Sequence, residues 1–166
     1  MKNLIRLLFF FVSFNLICQE NTSFSDSGFI SYNSDDITME IYLVKNIEEL
    51  FEINSDKKPI IITEVRLHEP ISIFIVYKLS SDIMIELKYD SKLRMPNNIL
   101  SELWSDSNIG NGMFKNGTWY RSESYGTLYF GETDDIGTYQ FHIEVYINSQ
   151  LWHIFVLEFN LLANII

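Results

Sequence analysis

Residues 135–161 read DIGTYQFHIEVYINSQLWHIFVLEFNL, and this stretch carries the clearest structural signal in the sequence. Within residues 137–148 every second side chain is apolar or aromatic, which is the period of a β-strand with one buried face. Residues 148–150 (NSQ) are typical of a turn, and a second apolar run follows at 151–161. The two runs predict an antiparallel β-hairpin. The alternating positions of the first run are Tyr139, Phe141, Ile143, Val145 and Ile147.

The sequence from residue 37 onward repeats this pattern of short strands separated by turn residues. Both faces of 71–79 are largely apolar, which indicates a central strand. The turn signal at 80–82 predicts that 71–79 and 83–90 pair as a hairpin. Together the strands favour an all-β, immunoglobulin-like antiparallel β-sandwich of seven to nine strands. The further predicted strands are 37–43, 60–68, 118–123 and 125–130.

Two segments depart from the strand pattern. Residues 46–51 (NIEELF) have helical spacing but could equally continue a strand. Residues 96–98 (PNN) predict a cap for a helix of one or two turns at 99–104. Residues 105–117 are dense in Gly, Asn and Ser and predict a loop. The fold is therefore expected to hold at most one or two short helical turns.

The motif Asp135-Ile136-Gly137-Thr138-Tyr139 resembles the D-x-G-x-Y signature that opens strand F of immunoglobulin domains. The resemblance implies a tyrosine corner, in which the Tyr139 hydroxyl bonds to the backbone a few residues upstream. It makes Asp135, Gly137 and Tyr139 a structural motif. Phe141 stands where antibody domains carry their second cysteine, so the resemblance is to a disulfide-free relative.

The chain is also similar to an uncharacterised family of exported bacterial Ig-like domains. That similarity implies a fold and a compartment, but no activity. It is carried by residues 26–29, Glu69-Pro70, residues 126–130 and residues 137–145.

Residues 1–18 have the features of a secretory signal peptide. Lys2 and Arg6 form a basic start, residues 7–12 (LLFFFV) are an apolar run too short to span a bilayer, and small or polar residues follow. Cleavage after Cys18 would leave an exported protein without cysteine, in the periplasm or outside the cell. The alternative is lipidation of Cys18, the one route by which we expect membrane attachment. Residues 19–36 are expected to be a linker or an edge strand, and 37–166 the Ig-like domain.

The charge balance restricts the partners. The chain has a formal net charge of −10, which repels nucleic acid and anionic membrane surfaces. We therefore expect no nucleic-acid partner.

The sequence offers no convincing catalytic or metal motif. No thiol survives signal cleavage, and no nucleophile–base arrangement is evident. His142, Glu144 and His153 lie on the two strands of the last hairpin, where they could form a cross-strand pair or half a metal site, but no third ligand is evident. We expect no metal, no cofactor and no enzymatic activity.

The aromatic side chains are the remaining candidates for a binding surface. Trp104, Trp119, Tyr120 and Trp152 could form a stacking platform for sugars, or they could fill the ends of the sandwich core. The sequence thus favours a non-enzymatic binding or structural module of the periplasm or cell envelope with a protein partner. The alternative is a carbohydrate-binding module that uses these aromatic residues.

Overall fold

The computed structural model describes residues 21–45, 59–122 and 126–164. These residues form two β-sheets and no helix, so the predicted all-β class is confirmed. The first strands are β1 (Thr22–Ser25), β2 (Phe29–Asn33), β3 (Ile37–Val44), β4 (Glu64–Arg66), β5 (Pro70–Leu79) and β6 (Ile83–Arg94). The later strands are β7 (Leu100–Phe114), β8 (Trp119–Arg121), β9 (Thr127–Tyr129), β10 (Gly137–Ile147) and β11 (Gln150–Leu162).

The six-stranded sheet has the order β1-β11-β10-β6-β7, with β4 pairing with β11 as well. Its centre is the predicted hairpin of β10 and β11, which runs antiparallel from the Gly137–Leu161 pair to the Ile147–Gln150 pair. β1 and β4 both run parallel to β11, one after the other along its outer edge. The sheet is therefore mixed rather than wholly antiparallel.

The five-stranded sheet has the order β2-β3-β5-β8, and β9 pairs with the other end of β5. β5 thus lies in the middle of this sheet, as its two apolar faces predict. Its outward-facing Phe74 is buried, where it packs with Val44, Tyr42 and Val76.

The core lies between the two sheets and is rich in aromatic residues. Each large apolar side chain that it removes from water contributes about 1.5–3 kcal/mol to folding. This packing makes the molecule a β-sandwich of the Ig-like class. The largest fully buried side chains include Tyr77, Tyr89, Phe141, Phe155 and Phe159.

The predicted hairpin of 71–79 with 83–90 is wrong, because β5 and β6 belong to different sheets. The turn between them carries the chain across the sandwich. At its start, the Ser80 amide donates a 3.0 Å hydrogen bond to Asp36 O, beside β3 of the five-stranded sheet. Asp82 at its end accepts a 2.8 Å hydrogen bond from the Asn116 amide, just beyond β7. Each end of the turn is thus tied to a different sheet.

The predicted helix at 99–104 and most of the predicted loop at 105–117 are also wrong. Both lie in β7, which pairs with β6 from Ile83–Phe114 to Arg94–Leu100 with three register shifts. The long open edge of β6 offers backbone hydrogen bonds that a one-turn helix cannot match. Gly110 marks a close approach rather than a loop, since a Cβ there would overlap the Tyr77 hydroxyl.

The region 19–36, expected to be a linker or edge strand, contains β1 at the edge of one sheet and β2 at the edge of the other. The predicted strand 60–68 shrinks to β4, with an isolated bridge between Val44 and Ile61. The described residues hold eleven strands instead of seven to nine. The predicted signal peptide with Cys18 and the ambiguous segment 46–51 lie outside the described residues.

Within the ranges that the structure describes, no helix is long and apolar enough to cross a membrane.

A glycine pair tests the packing of β7 against the segment before β9. A Cβ at Gly126 would overlap the Trp104 ring, whereas one at Gly131 would meet no atom within 4 Å. We expect Gly126→Ala to lower the free energy of unfolding by about 1–3 kcal/mol through overpacking. Gly131→Ala, the control, should change it by less than about 1 kcal/mol and can raise it by restricting the unfolded chain. Urea unfolding of both variants measures this, and equal losses would contradict the described packing.

Candidate functional site

Trp104 and Trp152 contact the core. Trp104 packs against the core cluster, with its ring stacked on Phe141 at 6.4 Å between centroids. Trp152 packs edge-on against Tyr32 at 5.5 Å. Strands β6 and β10 separate the two tryptophans in the six-stranded sheet.

Trp119 and Tyr120 are neighbours on β8 but have different surroundings. Trp119 is 47% exposed, and Lys78 Nζ lies 5.0 Å from its ring centroid. Tyr120 stacks on the buried Tyr77 at 5.6 Å, and its hydroxyl accepts a 2.7 Å hydrogen bond from the Lys115 amide. The structure therefore does not bring the four predicted ligand-binding aromatics together on one surface.

His153 and Glu144 do not face each other. In the observed register His153 lies opposite Val145, and Glu144 lies opposite Ile154. His153 is 3% exposed, stacks on Tyr32 at 3.9 Å, and its Nε2 lies 2.9 Å from Ser23 Oγ. Burial lowers the pKa of His153 below its usual value.

Glu144 belongs to the outer face of the six-stranded sheet. It accepts hydrogen bonds from Lys92 Nζ at 2.6 Å and from the Tyr146 hydroxyl at 2.9 Å. The described residues contain no group of three His, Cys, Asp or Glu side chains that could hold a metal ion. His153 and Glu144 thus have separate sets of contacts and do not form the predicted cross-strand pair.

The structural motif at the start of β10 forms a local clamp. The Tyr139 hydroxyl donates a 2.8 Å hydrogen bond to Asp135 O, the contact that the D-x-G-x-Y resemblance implies. The Tyr139 ring is buried between Phe130 at 5.0 Å and Phe159 at 5.5 Å. Burial also raises the pKa of Tyr139, so the hydroxyl keeps the proton that it donates.

Next to this clamp, Gly137 provides the surface on which the loop between β6 and β7 packs. Gly137 has a φ of +146°, a conformation that other residues rarely adopt, and a Cβ there would lie 3.2 Å from Pro96 Cγ. The Pro96 ring therefore rests directly on the Gly137 backbone. Hydrogen bonds from Asn98 N to Met95 O and from Met95 N to Ile99 O, both 2.9 Å, close the loop on itself.

A cleft of about 300 Å³ opens where this loop meets β10. We call it the Arg94 cleft. Arg94 is the last residue of β6, and Gln140 is its cross-strand partner on β10. The cleft is lined by Arg94, Met95, Pro96, Asn98, Thr138 and Gln140.

Arg94 has no counterion among the residues that the structure describes. It takes part in none of the ion pairs that the described residues form. Its Nε is enclosed and has no acceptor among the described residues. Other cations on the same strand are paired, Lys92 with Glu144 and Lys88 with both Glu86 and Asp106. Enclosing part of an unpaired charged group is costly, so an anionic partner at Arg94 would offset that cost.

Two of the other polar side chains of the cleft already form hydrogen bonds within the protein. Gln140 Nε2 donates to Glu158 at 3.0 Å, and Thr138 Oγ1 donates to Asn160 at 2.9 Å. Gln140 Oε1 and the Thr138 lone pairs remain as acceptors, and the second N–H of Gln140 Nε2 remains as a donor. His142, next to Gln140 on the same face, has an enclosed Nε2 without a partner among the described residues. Its pKa is lowered by burial first and by the charge of Arg94 second.

Sequence reasoning missed this cleft. Arg94 sits at a regular outward position of an alternating strand, where it looks like any solvated cation. The available signal was the turn Pro96-Asn97-Asn98, two residues after it, which the sequence pattern predicts to be a helix cap.

No family model matches the sequence, and no curated protein matches it. Among solved structures, a Niemann-Pick type C2 protein from Japanese carpenter ant is 8% identical with a TM-score of 0.46, covering 82% of this chain and 98% of that one. A family 123 glycoside hydrolase from Clostridium perfringens is 16% identical with a TM-score of 0.41, covering 78% of this chain and 28% of its own.

A beta-glucosidase from Listeria innocua is 11% identical with a TM-score of 0.43, covering 81% of this chain and 17% of its own. The chain thus spans less than a third of either hydrolase. All three TM-scores lie below 0.5, so these proteins say nothing about what this chain binds or does.

The tyrosine clamp can be tested by removing one oxygen atom. We expect Tyr139→Phe to lower the free energy of unfolding by about 0.5–1.5 kcal/mol, because the Asp135 carbonyl loses its partner. Tyr129→Phe serves as the control, since Tyr129 is 68% exposed. Urea unfolding measures stability, and the backbone amide shifts of Asn98 and Thr138 report on the cleft. A Tyr139→Phe protein with unchanged stability and unchanged shifts would show that the clamp does not support the cleft.

Proposed function

We propose that this protein is an exported, non-enzymatic β-sandwich module that binds a partner molecule at the Arg94 cleft. The observation that carries the proposal is Arg94 itself, a half-buried cation with no counterion among the described residues. In a chain of net charge −10 an available carboxylate is easy to find. An arginine left without one, at the wall of a cleft, can take its counterion from a ligand, because its planar guanidinium suits carboxylate recognition.

Export rests on the N-terminal sequence. The basic start, the apolar run at 7–12 and the polar exit before residue 19 form a signal-peptide pattern. We propose the periplasm or the extracellular space as the compartment, with lipidation at Cys18 as the route to a membrane-tethered form.

Binding is favoured over catalysis by the chemistry of the cleft lining. Its six residues provide one cation, two amide side chains, one hydroxyl and two apolar side chains. None of them is a carboxylate, an imidazole or a thiol, which are the groups that usually move protons or attack substrates. They can hold and orient a ligand.

The walls of the cleft are held by hydrogen bonds and packing within the fold. Its walls are β6, β10 and a loop that rests on Gly137, all held by backbone pairing and the Tyr139 clamp. A preformed site binds with little ordering cost. The partner is expected to be a protein or a glycan, since the acidic chain repels nucleic acid.

A fragment screen by protein NMR tests the proposed site without assuming the ligand. The mixture contains neutral sugars, amines, organic acids, primary amides and short peptides, and the readout is the change in backbone amide and Trp119 indole shifts. We expect at least one probe class to perturb the amides of Asn98, Thr138 and Gln140 saturably.

Perturbations confined to Trp119 by sugars would instead favour the carbohydrate-binding alternative. No saturable change at the cleft with any class would contradict the proposal. Export is checked separately by the intact mass and N-terminal sequence of the protein recovered from its own cells. A mature chain that still carries residues 1–18 would overturn that part.

A further inference from the structure

We infer that the Arg94 cleft binds the C-terminal carboxylate of a peptide. This inference rests on the proposed function, because it names the ligand of the same cleft. It follows from the charge that the cleft leaves open, the hydrogen-bonding groups beside that charge, and the volume available.

The charge of Arg94 favours a ligand group that carries a single negative charge. Arginine presents its donors in a planar fork that matches the two oxygens of a carboxylate. Lys92, the nearest other cation on β6, is already paired with Glu144. Glu158 lies on β11, two strands away from Arg94, and its carboxylate is held by Gln140. A single unpaired cation with an anion in the vicinity suits a monovalent carboxylate better than a doubly charged phosphate.

The neighbouring groups select what is attached to that carboxylate. Thr138 has donated its hydroxyl proton and Gln140 one of its two amide N–H groups within the protein, so their oxygen lone pairs remain as acceptors and one Gln140 N–H remains as a donor. An acceptor next to a carboxylate site fits a ligand with an N–H close to its carboxylate. The last residue of a peptide has this arrangement, with its backbone amide one carbon from the carboxylate.

Apolar contacts and size agree with a peptide end. Met95 and Pro96 give the cleft an apolar wall on which a terminal side chain can pack. The lining has no aromatic ring on which a sugar could stack. About 300 Å³ is at the lower end of ligand-site volumes, enough for one or two terminal residues.

The test uses N-acetyl-alanyl-alanine with a free carboxylate and the same dipeptide with a C-terminal amide. Each is titrated into the purified protein, and binding is followed through the backbone amides of Asn98, Thr138 and Gln140. The free acid should bind saturably at the cleft and the amide at least tenfold more weakly, since a charge-assisted hydrogen bond is lost.

Three variants locate the contact. Arg94→Gln should weaken the free acid at least tenfold. Asn98→Asp puts a negative charge into the cleft and should also abolish binding, and aspartate tolerates the left-handed φ of 66° found there. Lys88→Gln is the matched control. It removes the same charge from the same face of β6, about 20 Å away at roughly 3.3 Å per residue, and should bind like the wild type.

The second variant keeps the test decisive if Arg94→Gln folds poorly. Equal binding of acid and amide, or equal weakening by Lys88→Gln, would overturn the inference. So would binding of galacturonate in place of the dipeptide, which would make the ligand an acidic sugar. If the dipeptide fails while another probe class still perturbs the cleft in the fragment screen, the inference falls and the proposed function stands.

Discussion

The structure depends on the position of strand β10 between β11 and β6. Its inward side chains Phe141, Ile143 and Val145 are completely buried, so both of its ladders are supported by the core. The Tyr139 hydroxyl then fixes the approach to this strand. Pro96 packs against Gly137 at the start of this strand. The loop that contains Pro96 forms one wall of the Arg94 cleft. Core packing and the candidate site are thus one continuous structure.

The parts of the fold that could be predicted from the sequence have a strict two-residue period. The hairpin of β10 and β11 and the central position of β5 were evident, because one-sided or two-sided burial leaves a direct record in the order of apolar residues. The tyrosine clamp was implied by five adjacent residues. Such features are local, and a sequence records local features well.

The parts that failed depend on partners far away in the chain. β6 alternates in the same way whether it pairs with β5 or with β10, and the choice is made by residues 140–147, about fifty positions later. The spacing at 99–104 was typical of a short helix, but the open edge of β6 captured that segment as β7. Local preference lost in both cases to hydrogen bonding across the sheet.

The candidate site could not be predicted for the same reason. Arg94 and Gln140 are forty-six positions apart in sequence, and Pro96 reaches Gly137 only because β6 and β10 are neighbours. The aromatic residues were conspicuous in the sequence, yet Trp104 and Trp152 pack against the core and Trp119 is on the outer face of the other sheet. Residue type alone did not reveal which charge was left without a partner.

The pairing of β6 with β10 is tested most directly by the backbone NOEs of β6 in solution. Pairing with β10 predicts cross-strand contacts between Arg94 and Gln140 and between Lys92 and His142, together with contacts from β6 to β7. Cross-strand NOEs from β6 to β5 across the turn at 80–82, with none to β10, would contradict it. That result would remove Arg94 from Gln140 and leave neither this sandwich nor its cleft.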